Sequence, residues 1–444
     1  MTGTGQGADS GQGWRLQPFA SFRIRNYRRV WAANVSYGLV QSSQRFVLVW
    51  LAIETLEATG SFVASTALMV VLPALLITLP AGVLADRVDR KRLLAASHFL
   101  MALVLVAAAI LSGTQVASQG LVLALALLAG VGVALGEPVR AALVPAIVPG
   151  SRLLNANALY PLAQAVGQML GPGLAGVAIA LGGVETAFVM LAVVIAGGVL
   201  FLIPLQIPPR EGLPSAGAAG TPPRRPTLAG LRADIADGFR FILTGPREVR
   251  LLFALLLTVS LLGPWLALGF GDLASRFDVE AGEVTWFFVS LGLGSLVTGV
   301  TLASIPRLPN AGGWYAAMLI VGAVLTALVW FASSYGLAVL LMFVYGLAVG
   351  GGSILFRTLV QLQTPASLMG RVMGIQFLLL ALGALLGTVL SAAGSTLLRS
   401  DGLVLLAVVV LVAVTAPVLV RGPSLRRMST LPAATTERAE SGAE

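Results

Sequence analysis

The chain has 444 residues, of which 57% are hydrophobic and 11% are charged, and its mean hydropathy is +0.91. A water-soluble domain carries about 25% charged residues, so this composition excludes an ordinary soluble globular protein. Because the chain contains no cysteine and a single histidine, His98, it offers no disulfide or thiolate ligand and no basis for a histidine metal cluster or a Ser-His-Asp triad. We therefore predict no metal site and no cofactor.

Residues 1–29 are polar and carry arginines. The apolar stretch that follows them has about the length of a full membrane span, and further spans come after it, which is not the pattern of a cleavable signal peptide. We predict that residues 1–29 form a tail on the cytoplasmic side of the membrane.

Apolar stretches long enough to cross a bilayer, which takes about 20 residues, recur along the rest of the chain. The sequence predicts about twelve transmembrane helices, and the fold class is therefore an all-α polytopic membrane protein. The predicted spans, numbered 1 to 12, cover residues 30–54, 62–85, 93–113, 119–143, 155–181, 184–206, 249–271, 283–304, 312–333, 336–359, 370–397 and 402–420.

A polar segment, residues 207–248, separates an N-terminal half (30–206) from a C-terminal half (249–420). Its first part, 207–226, is rich in Pro, Gly and Ala, as flexible linkers are. Its second part predicts an amphipathic helix on the inner membrane surface, because apolar residues recur there at helical spacing. These residues are Leu228, Leu231, Ile235, Phe239 and Ile242. A polar tail, 421–444, follows the second half.

The net charge of +9 is distributed unevenly. Of the 28 basic residues, all but Arg45, Arg276 and Arg399 fall in tails, loops and helix ends that the predicted spans place on one side. This positive-inside bias predicts that both termini are cytoplasmic, in a multi-pass protein of the bacterial inner membrane. It also explains the basic excess without a nucleic-acid partner.

The two halves resemble each other at an offset of 216 residues. Six residues recur with the same identity at this offset, which relates predicted spans 4 and 5 to spans 10 and 11. Two parallel six-helix halves are a known plan for transporters, with the substrate site at their interface near the bilayer midplane. The pairs are Gly130 and Gly346, Gly136 and Gly352, Pro149 and Pro365, Ser151 and Ser367, Gly167 and Gly383, and Gly171 and Gly387.

The loop after span 2 reads Gly82-Val-Leu-Ala-Asp86-Arg87-Val-Asp89-Arg90-Lys-Arg. It resembles the G-x-L-x-D-R-x-G-R-[KR] signature of the major facilitator superfamily, with Asp89 in place of the second glycine. The D-R-x-D-R form is similar to the branch that contains the enterobactin exporter and related drug-efflux proteins. The resemblance covers nearly the whole chain and includes segments 22–27, 138–145, 361–365 and 370–372.

The resemblance implies an inner gate, in which Gly82 permits close helix packing and Asp86 meets the positive N-terminal end of span 11 at Gly370 and Arg371. The alternative is that the basic residues, Arg87 and Arg90 among them, only orient the loop. We expect a wider charge network at this gate, although snorkelling explains the two arginines of spans 4 and 10 nearly as well. Its further members are Glu137, Arg140 and Arg357.

Span 5 carries a glycine-rich pattern made of Gly167, Gly171, Pro172 and Gly176. It resembles the antiporter motif of exporters in this superfamily, with Ala175 where a glycine is usual. Glycines give a smooth packing surface, and the proline frees a backbone carbonyl and allows a kink. The pattern favours export as the direction of transport.

Polar stripes on three spans predict a central cavity. The stripes contain Asn34, Gln41 and Arg45 on span 1, Tyr160, Gln164 and Gln168 on span 5, and Gln376 on span 11. A charge inside a span calls for a partner or a role. Arg45 therefore either binds an anionic group of the substrate or forms a structural ion pair. Glu54 and Asp272, at the outer ends of spans 1 and 7, are candidate protonation sites or solvated acids.

We find no G-x-x-x-x-G-K-[ST] loop, so the sequence encodes no ATP-driven pump and no enzyme. It predicts a secondary transporter that exports a small amphipathic or anionic molecule, such as a drug, siderophore or metabolite, in exchange for protons. The alternatives are a nutrient importer and a lipid flippase or scramblase on the same fold. The expected partners are membrane lipids, the substrate and protons, and the expected state is a monomer.

Overall fold

The computed structural model describes residues 18–56, 60–114, 118–207, 228–268, 276–278, 281–394 and 400–430. Within these ranges the chain is helical and contains no strand. In chain order the helices are α1 Arg25–Leu56, α2 Gly60–Arg87, α3 Arg90–Gly113, α4 Gln119–Ile147, α5 Leu153–Leu202, α6 Leu228–Thr244, α7 Arg247–Leu268, α8 Ala281–Ser304, α9 Ala311–Trp330, α10 Tyr335–Gln363, α11 Met369–Gly394, α12 Ser400–Arg421 and α13 Pro423–Arg427.

Most of these helices are apolar along their length. Among the described residues, eight segments are long and apolar enough to cross a bilayer, and α12 contributes a shorter apolar helix over Val404–Val420. The longest segment contains α5, which a break at Gly182 and Gly183 divides into arms 153–181 and 184–202. Gly183 has φ 81°, a conformation that favours glycine. The all-α polytopic fold class is confirmed, and the number of twelve spans stays a prediction.

The internal repeat is visible in the helix boundaries. Helices α4 and α10 begin and end 216 residues apart, and α5 and α11 begin at Leu153 and Met369, the same distance apart. Ser118 caps α4 by accepting a hydrogen bond from the N–H of residue 121 at 3.4 Å, and Ser334 caps α10 in the same way from residue 337 at 3.4 Å. The same capping chemistry thus starts both helices.

Asp89, where the signature has a glycine, caps α3. Its side chain accepts a hydrogen bond from the backbone N–H of Lys91 at 2.8 Å. Its backbone has φ −59°, so no residue with glycine's freedom is needed at this position. The departure from the signature therefore adds an N-cap to α3 and leaves the turn between α2 and α3 in ordinary geometry.

The two halves meet where α2 packs on α11, α4 on α11, and the first arm of α5 on α8 and α10. The contacts of Gly82 with Gly370, of Asn155 with Ala303 and of Asn157 with Thr358 lie toward the end of the bundle that holds the C-termini of α2, α4, α8 and α10 and the N-termini of α5 and α11. We call it the basic end, because its loops carry most of the arginines. A continuous apolar core with residues from both halves fills this end.

Helix α6, within the segment between the halves, packs against α2 and α11 at the basic end. Its Asp234 is buried, and a side chain at Gly238 would meet Ile375 and Arg371 of α11. The amphipathic helix was predicted from its apolar face. The structure adds that part of its acidic face is turned to the bundle.

Candidate functional site

Asp86 joins the two halves at the basic end. Its carboxylate accepts hydrogen bonds from the backbone N–H of Gly370 at 2.7 Å and from that of Arg371 at 3.0 Å. These groups belong to the first turn of α11, where unpaired N–H groups and the helix dipole favour an anion. Arg90 lies 3.3 Å from the same carboxylate. We call this set the α2–α11 contact.

Close backbone packing makes this contact possible. Gly82 of α2 and Gly370 of α11 face each other, and a Cβ atom added to either would overlap a carbonyl oxygen of the other. Gly374 approaches α2 in the same region, where an added Cβ would lie 2.7 Å from the carbonyl oxygen of Thr78. Any larger side chain at Gly82 would separate the helices and draw Asp86 away from its N–H donors.

Arg371 connects the α2–α11 contact to α6. Its guanidinium lies 3.8 Å from Asp86, 2.9 Å from Asp234 and 3.6 Å from Asp237, and Arg87 pairs with Asp234. Sequence reasoning placed Arg87 and Arg371 in the gate and missed the two aspartates of α6. Their helical spacing was visible, but the pattern does not show which helix an acidic face meets.

A second set of hydrogen bonds joins the halves beside the first. The side-chain amide of Asn157 on α5 donates to the hydroxyl of Thr358 at 3.0 Å and to the side-chain carbonyl oxygen of Gln361 at 2.7 Å, both on α10. The amide of Gln361 donates to the backbone carbonyl of Ala141 on α4 at 2.8 Å. Asn155 donates to the carbonyl of Ala303 on α8. These bonds are buried, so a path through the basic end requires them to break.

The N-terminal half encloses a charged cluster, which we call the Arg140 cluster. Arg140 is 1% exposed, forms an ion pair with Glu137 at 3.1 Å and stacks over the ring of Tyr37 at 3.4 Å. The hydroxyl of Tyr160 donates to Glu137 at 3.4 Å, and Gln164 donates to that hydroxyl at 3.0 Å.

The expected single gate network is therefore divided in two. Glu137 and Arg140 pair with each other, about two to three turns inside α4, and Asp86 pairs with Arg90 and Arg371 at the helix ends. Arg357 joins neither set by an ion pair among the described residues. Its guanidinium stacks over the ring of Tyr160 at 4.6 Å instead. Position along a helix suggested proximity, but α4 and α10 turn these side chains inward, away from the loops.

A cavity of about 720 Å³ lies next to the Arg140 cluster. This volume is in the range of drug-sized ligand sites. Most of its wall comes from α7 to α12 and is apolar, with the first arm of α5 closing one side. Its polar lining includes Asn157, Tyr160, Gln164, Arg357 and Gln376.

Three of the predicted cavity residues, Tyr160, Gln164 and Gln376, line this cavity. Two others do not belong to the described lining. Asn34 is buried in α1, and Gln41 donates a hydrogen bond to the hydroxyl of Tyr37 at 3.2 Å. The cavity candidates Arg45 and Gln168 and the candidate protonation sites Glu54 and Asp272 lie outside the described residues or side chains.

The glycines of the span 5 pattern do not all have the same surroundings. Added Cβ atoms at Gly167 and Gly171 would overlap the backbone of Gly38 and the Ser42 hydroxyl on α1. No atom lies within 4 Å of a Cβ added to Gly176. Pro172 is half-buried inside the helix. Two of the three glycines therefore determine how closely α5 approaches α1.

This is an apolar helical bundle with two related halves, a largely apolar cavity that carries a few polar groups, and contacts that join the halves at one end. Such an arrangement is the architecture of a membrane transporter. Comparison with known families agrees. The model of the Major Facilitator Superfamily matches residues 30–388, and the chain belongs to this superfamily, which consists of transporters rather than enzymes.

Two curated relatives are exporters by name. Enterobactin exporter EntS of Shigella boydii serotype 18 is 26% identical over 300 residues, covering 66% of this chain and 67% of that protein. Multidrug efflux pump Tap of Mycolicibacterium fortuitum is 28% identical over 327 residues, covering 72% of this chain and 77% of that protein. The predicted resemblance to this branch is confirmed at this level of identity.

Solved structures share the fold. A bacterial homologue of the iron transporter ferroportin, crystallised in an outward-facing state, aligns with a TM-score of 0.68 at 16% identity, over 90% of this chain and 99% of that chain. The fucose:proton symporter FucP of E. coli aligns with a TM-score of 0.64 at 13% identity, over 90% and 98%. At these identities the likeness concerns the fold alone.

Proposed function

We propose that the protein exports a small amphipathic or anionic molecule, such as a drug, siderophore or metabolite, in exchange for protons, by alternating access. The observation that carries this proposal is the α2–α11 contact below a cavity of about 720 Å³. A transporter needs one such contact that closes the cavity on one side and breaks to open it. The names of the curated relatives support export as the direction.

In this proposal the basic end faces the cytoplasm of a bacterial cell and both termini lie there, because basic loops are retained on that side. The described contacts then correspond to a state closed toward the cytoplasm. Breaking the bonds of Asp86 and of Asn157 would open the cavity inward, as the halves rock around it.

We assign proton coupling to Glu137. It lies about two to three turns inside α4, it touches Arg140 and Tyr160, and Tyr160 lines the cavity. A proton on Glu137 would weaken its ion pair with Arg140. A substrate in the cavity would then change the contacts of the Arg140 cluster through Tyr160. One proton moving through 100 mV and one pH unit yields about 3.7 kcal/mol, enough for a gradient of several hundredfold.

The test measures intracellular accumulation of fluorescent dyes, antibiotics and siderophores in cells with wild type or Asp86→Asn, with and without a protonophore. Asparagine keeps the size of the side chain but removes the charge that two backbone N–H groups and two arginines share. Charged hydrogen bonds contribute about 1.5–3 kcal/mol, so we expect export to fall by about tenfold or more. Wild-type cells should hold less substrate, and the protonophore should abolish this difference.

Asp89→Asn is the matched control. It lies in the same loop, is exposed and caps α3, a role that asparagine fills equally well. It should export as the wild type does. Higher accumulation with the wild type would favour a nutrient importer, and equal accumulation across the panel would direct attention to movement of labelled lipids in vesicles, as a flippase or scramblase requires.

The absence of cysteine gives a direct readout of the proposed opening. A single Thr358→Cys places a thiol at a fully buried position between the halves. We expect slow labelling by a water-soluble maleimide in the wild-type background and faster labelling after Asp86→Asn. Equal labelling rates in the two backgrounds would contradict the assignment of Asp86 to a gate.

A further inference from the structure

We propose that Arg357 is the subsite for the oxyanion of the substrate, and that the transported molecule is an amphipathic monoanion. The inference rests on the proposed transport function and names the substrate class and the residue that recognises it. Arg357 lies on α10, six residues before the helix ends at Gln363, and its side chain lines the cavity.

The first argument is charge balance. Among the described residues that line the cavity, Arg357 is the one with a charged side chain. It takes part in none of the ion pairs between described residues, whereas Arg140 has Glu137 and Arg371 has three aspartates. An unpaired charge at membrane depth costs about 2.5–3.5 kcal/mol on insertion scales, which is why such residues usually serve a function.

The second argument is orientation. The Arg357 guanidinium is stacked over the ring of Tyr160 at 4.6 Å and lies 5.8 Å from the ring of Phe377. A cation–π contact is an electrostatic attraction to the ring and does not pair the N–H groups of the guanidinium with an acceptor atom. No hydrogen bond of the Arg357 side chain is made within the described part of the chain. The fork is therefore held in place with donors available to a carboxylate or sulfonate, which it can bind through two parallel bonds.

A third observation places another polar contact in the same cavity. The side-chain carbonyl oxygen of Gln376 is buried and has no hydrogen-bond partner among the described residues, although Gln376 lines the cavity. Buried polar atoms are almost always paired, so an unpaired one next to a cavity suits a donor on a ligand. Once the Gln376 amide turns this oxygen to the cavity, a hydroxyl or amide N–H on the substrate would satisfy it.

The walls of the cavity indicate the chemistry of the rest of the substrate. Leu256, Phe288, Leu319, Leu380 and Leu411 belong to five different helices and line the cavity with apolar surface. An aromatic or aliphatic body would be buried there while its charged group meets Arg357. Because no acid lines the described cavity, a cationic amphipath would face Arg357 without compensation. The observations therefore favour anions over the cations and neutral molecules that an apolar cavity also admits.

The experiment measures binding to the full chain in nanodiscs by fluorescence titration. The probes are 11-(dansylamino)undecanoic acid and its methyl ester, which share one body and differ in charge, with empty nanodiscs as the blank. We expect the wild type to bind the acid about tenfold or more tightly than the ester, since a hydrogen bond to a charged group contributes about that much. Arg357→Gln should lose this preference and keep its affinity for the ester.

Two further variants identify the cause. Arg357→Lys keeps the charge without the planar fork and should restore part of the preference. Arg427→Gln removes an exposed cation at the basic end, outside the cavity, and should bind as the wild type does. Each variant is used after it elutes as a single monodisperse species, and Arg357→Lys decides the question if the glutamine variant aggregates.

Equal affinity of the wild type for acid and ester would overturn the proposal, as would an unchanged preference in Arg357→Gln or, should that variant aggregate, in Arg357→Lys. The outcome is separable from that of the export assay. A preference that depends on Arg357, in a protein that exports nothing from cells, would uphold the subsite and reject export. Export that persists with no role for Arg357 would do the reverse.

Discussion

The two halves share one framework and fill it with opposite chemistry. At the repeat offset of 216, Tyr37 corresponds to Phe253 and Arg140 to Phe356. In the N-terminal half the guanidinium stacks on the tyrosine ring at 3.4 Å, and in the C-terminal half the two phenylalanine rings pack edge to face at 5.6 Å. The same pair of positions, on the first and fourth helices of each half, thus makes a contact in both.

The difference shows how one helical plan supports two tasks. Around Arg140, Glu137 and two tyrosines fill the interior of the N-terminal half with hydrogen-bonded charge. The matching position of Glu137 in α10 is Ser353, which lines the cavity. The C-terminal half therefore keeps an apolar space, and we propose that the N-terminal half supplies the acid for proton coupling beside it.

The largest expected effect comes from replacing the charge of the Tyr37–Arg140 pair by an apolar side chain, as in the Phe253–Phe356 pair. Arg140→Met should leave Glu137, whose side chain is 16% exposed, without its fully buried partner, and breaking a buried ion pair costs up to about 3–5 kcal/mol. We expect a clear fall in the melting temperature of the purified protein, measured by thermal scanning with size-exclusion detection, and a loss of export.

The double variant Glu137→Gln with Arg140→Met is the control. It removes both charges, and a buried ion pair replaced by uncharged side chains is often neutral for stability. We expect it to recover most of the melting temperature while export stays uncoupled from protons. A double variant as unstable as the single one would show that Arg140 acts through its stacking on Tyr37 rather than through charge.

The framework was largely predictable from sequence because repeated local signals determine it. Ser118 and Ser334 start α4 and α10 at the repeat offset, and the apolar lengths between polar segments set the predicted spans. The break at Gly182 and Gly183 was predictable too, although it falls inside one continuous helical segment. The predicted spans 5 and 6 still met at this position, because a short glycine pair separates two apolar lengths.

The site was less predictable. Helical periodicity places a residue on a face but does not say which helix that face meets. Arg357 was therefore assigned to the gate from its place near a helix end, and the structure stacks it on Tyr160 beside the cavity. The segment that contains Asp234 was predicted as an amphipathic helix on the membrane surface, and the structure buries Asp234 against Arg87 and Arg371. The predicted functions of gate and cavity stay predictions.

An effect of intermediate size on stability is expected when the tightly packed glycines of α5 and α11 are replaced by alanine. Gly167→Ala would force a methyl group into the backbone of Gly38, and such overpacking costs about 1–3 kcal/mol. Gly383→Ala, at the matching position of the other half, would meet Ser260 of α7 and should be similar. Gly176→Ala should be neutral, because no atom lies within 4 Å. Melting temperatures of the three variants check this order, and a harmful Gly176→Ala would contradict the packing described.

The smallest effect is expected at α6, in the segment between the two halves. Asp234→Asn removes the charge that Arg87 and Arg371 share. Because the Arg87 side chain is 35% exposed and an asparagine oxygen can still accept a hydrogen bond from Arg371, we expect a loss of about 1 kcal/mol or less. The α2–α11 contact keeps the hydrogen bonds of Asp86 in this variant. The equilibrium between the closed and open states of the basic end should therefore shift toward the open state by no more than about fivefold. Labelling of Thr358→Cys measures it, with the more exposed Asp237→Asn as the comparison. A labelling rate as high as that of Asp86→Asn would mean that α6 holds the halves together, and that the asymmetry between them extends to the gate.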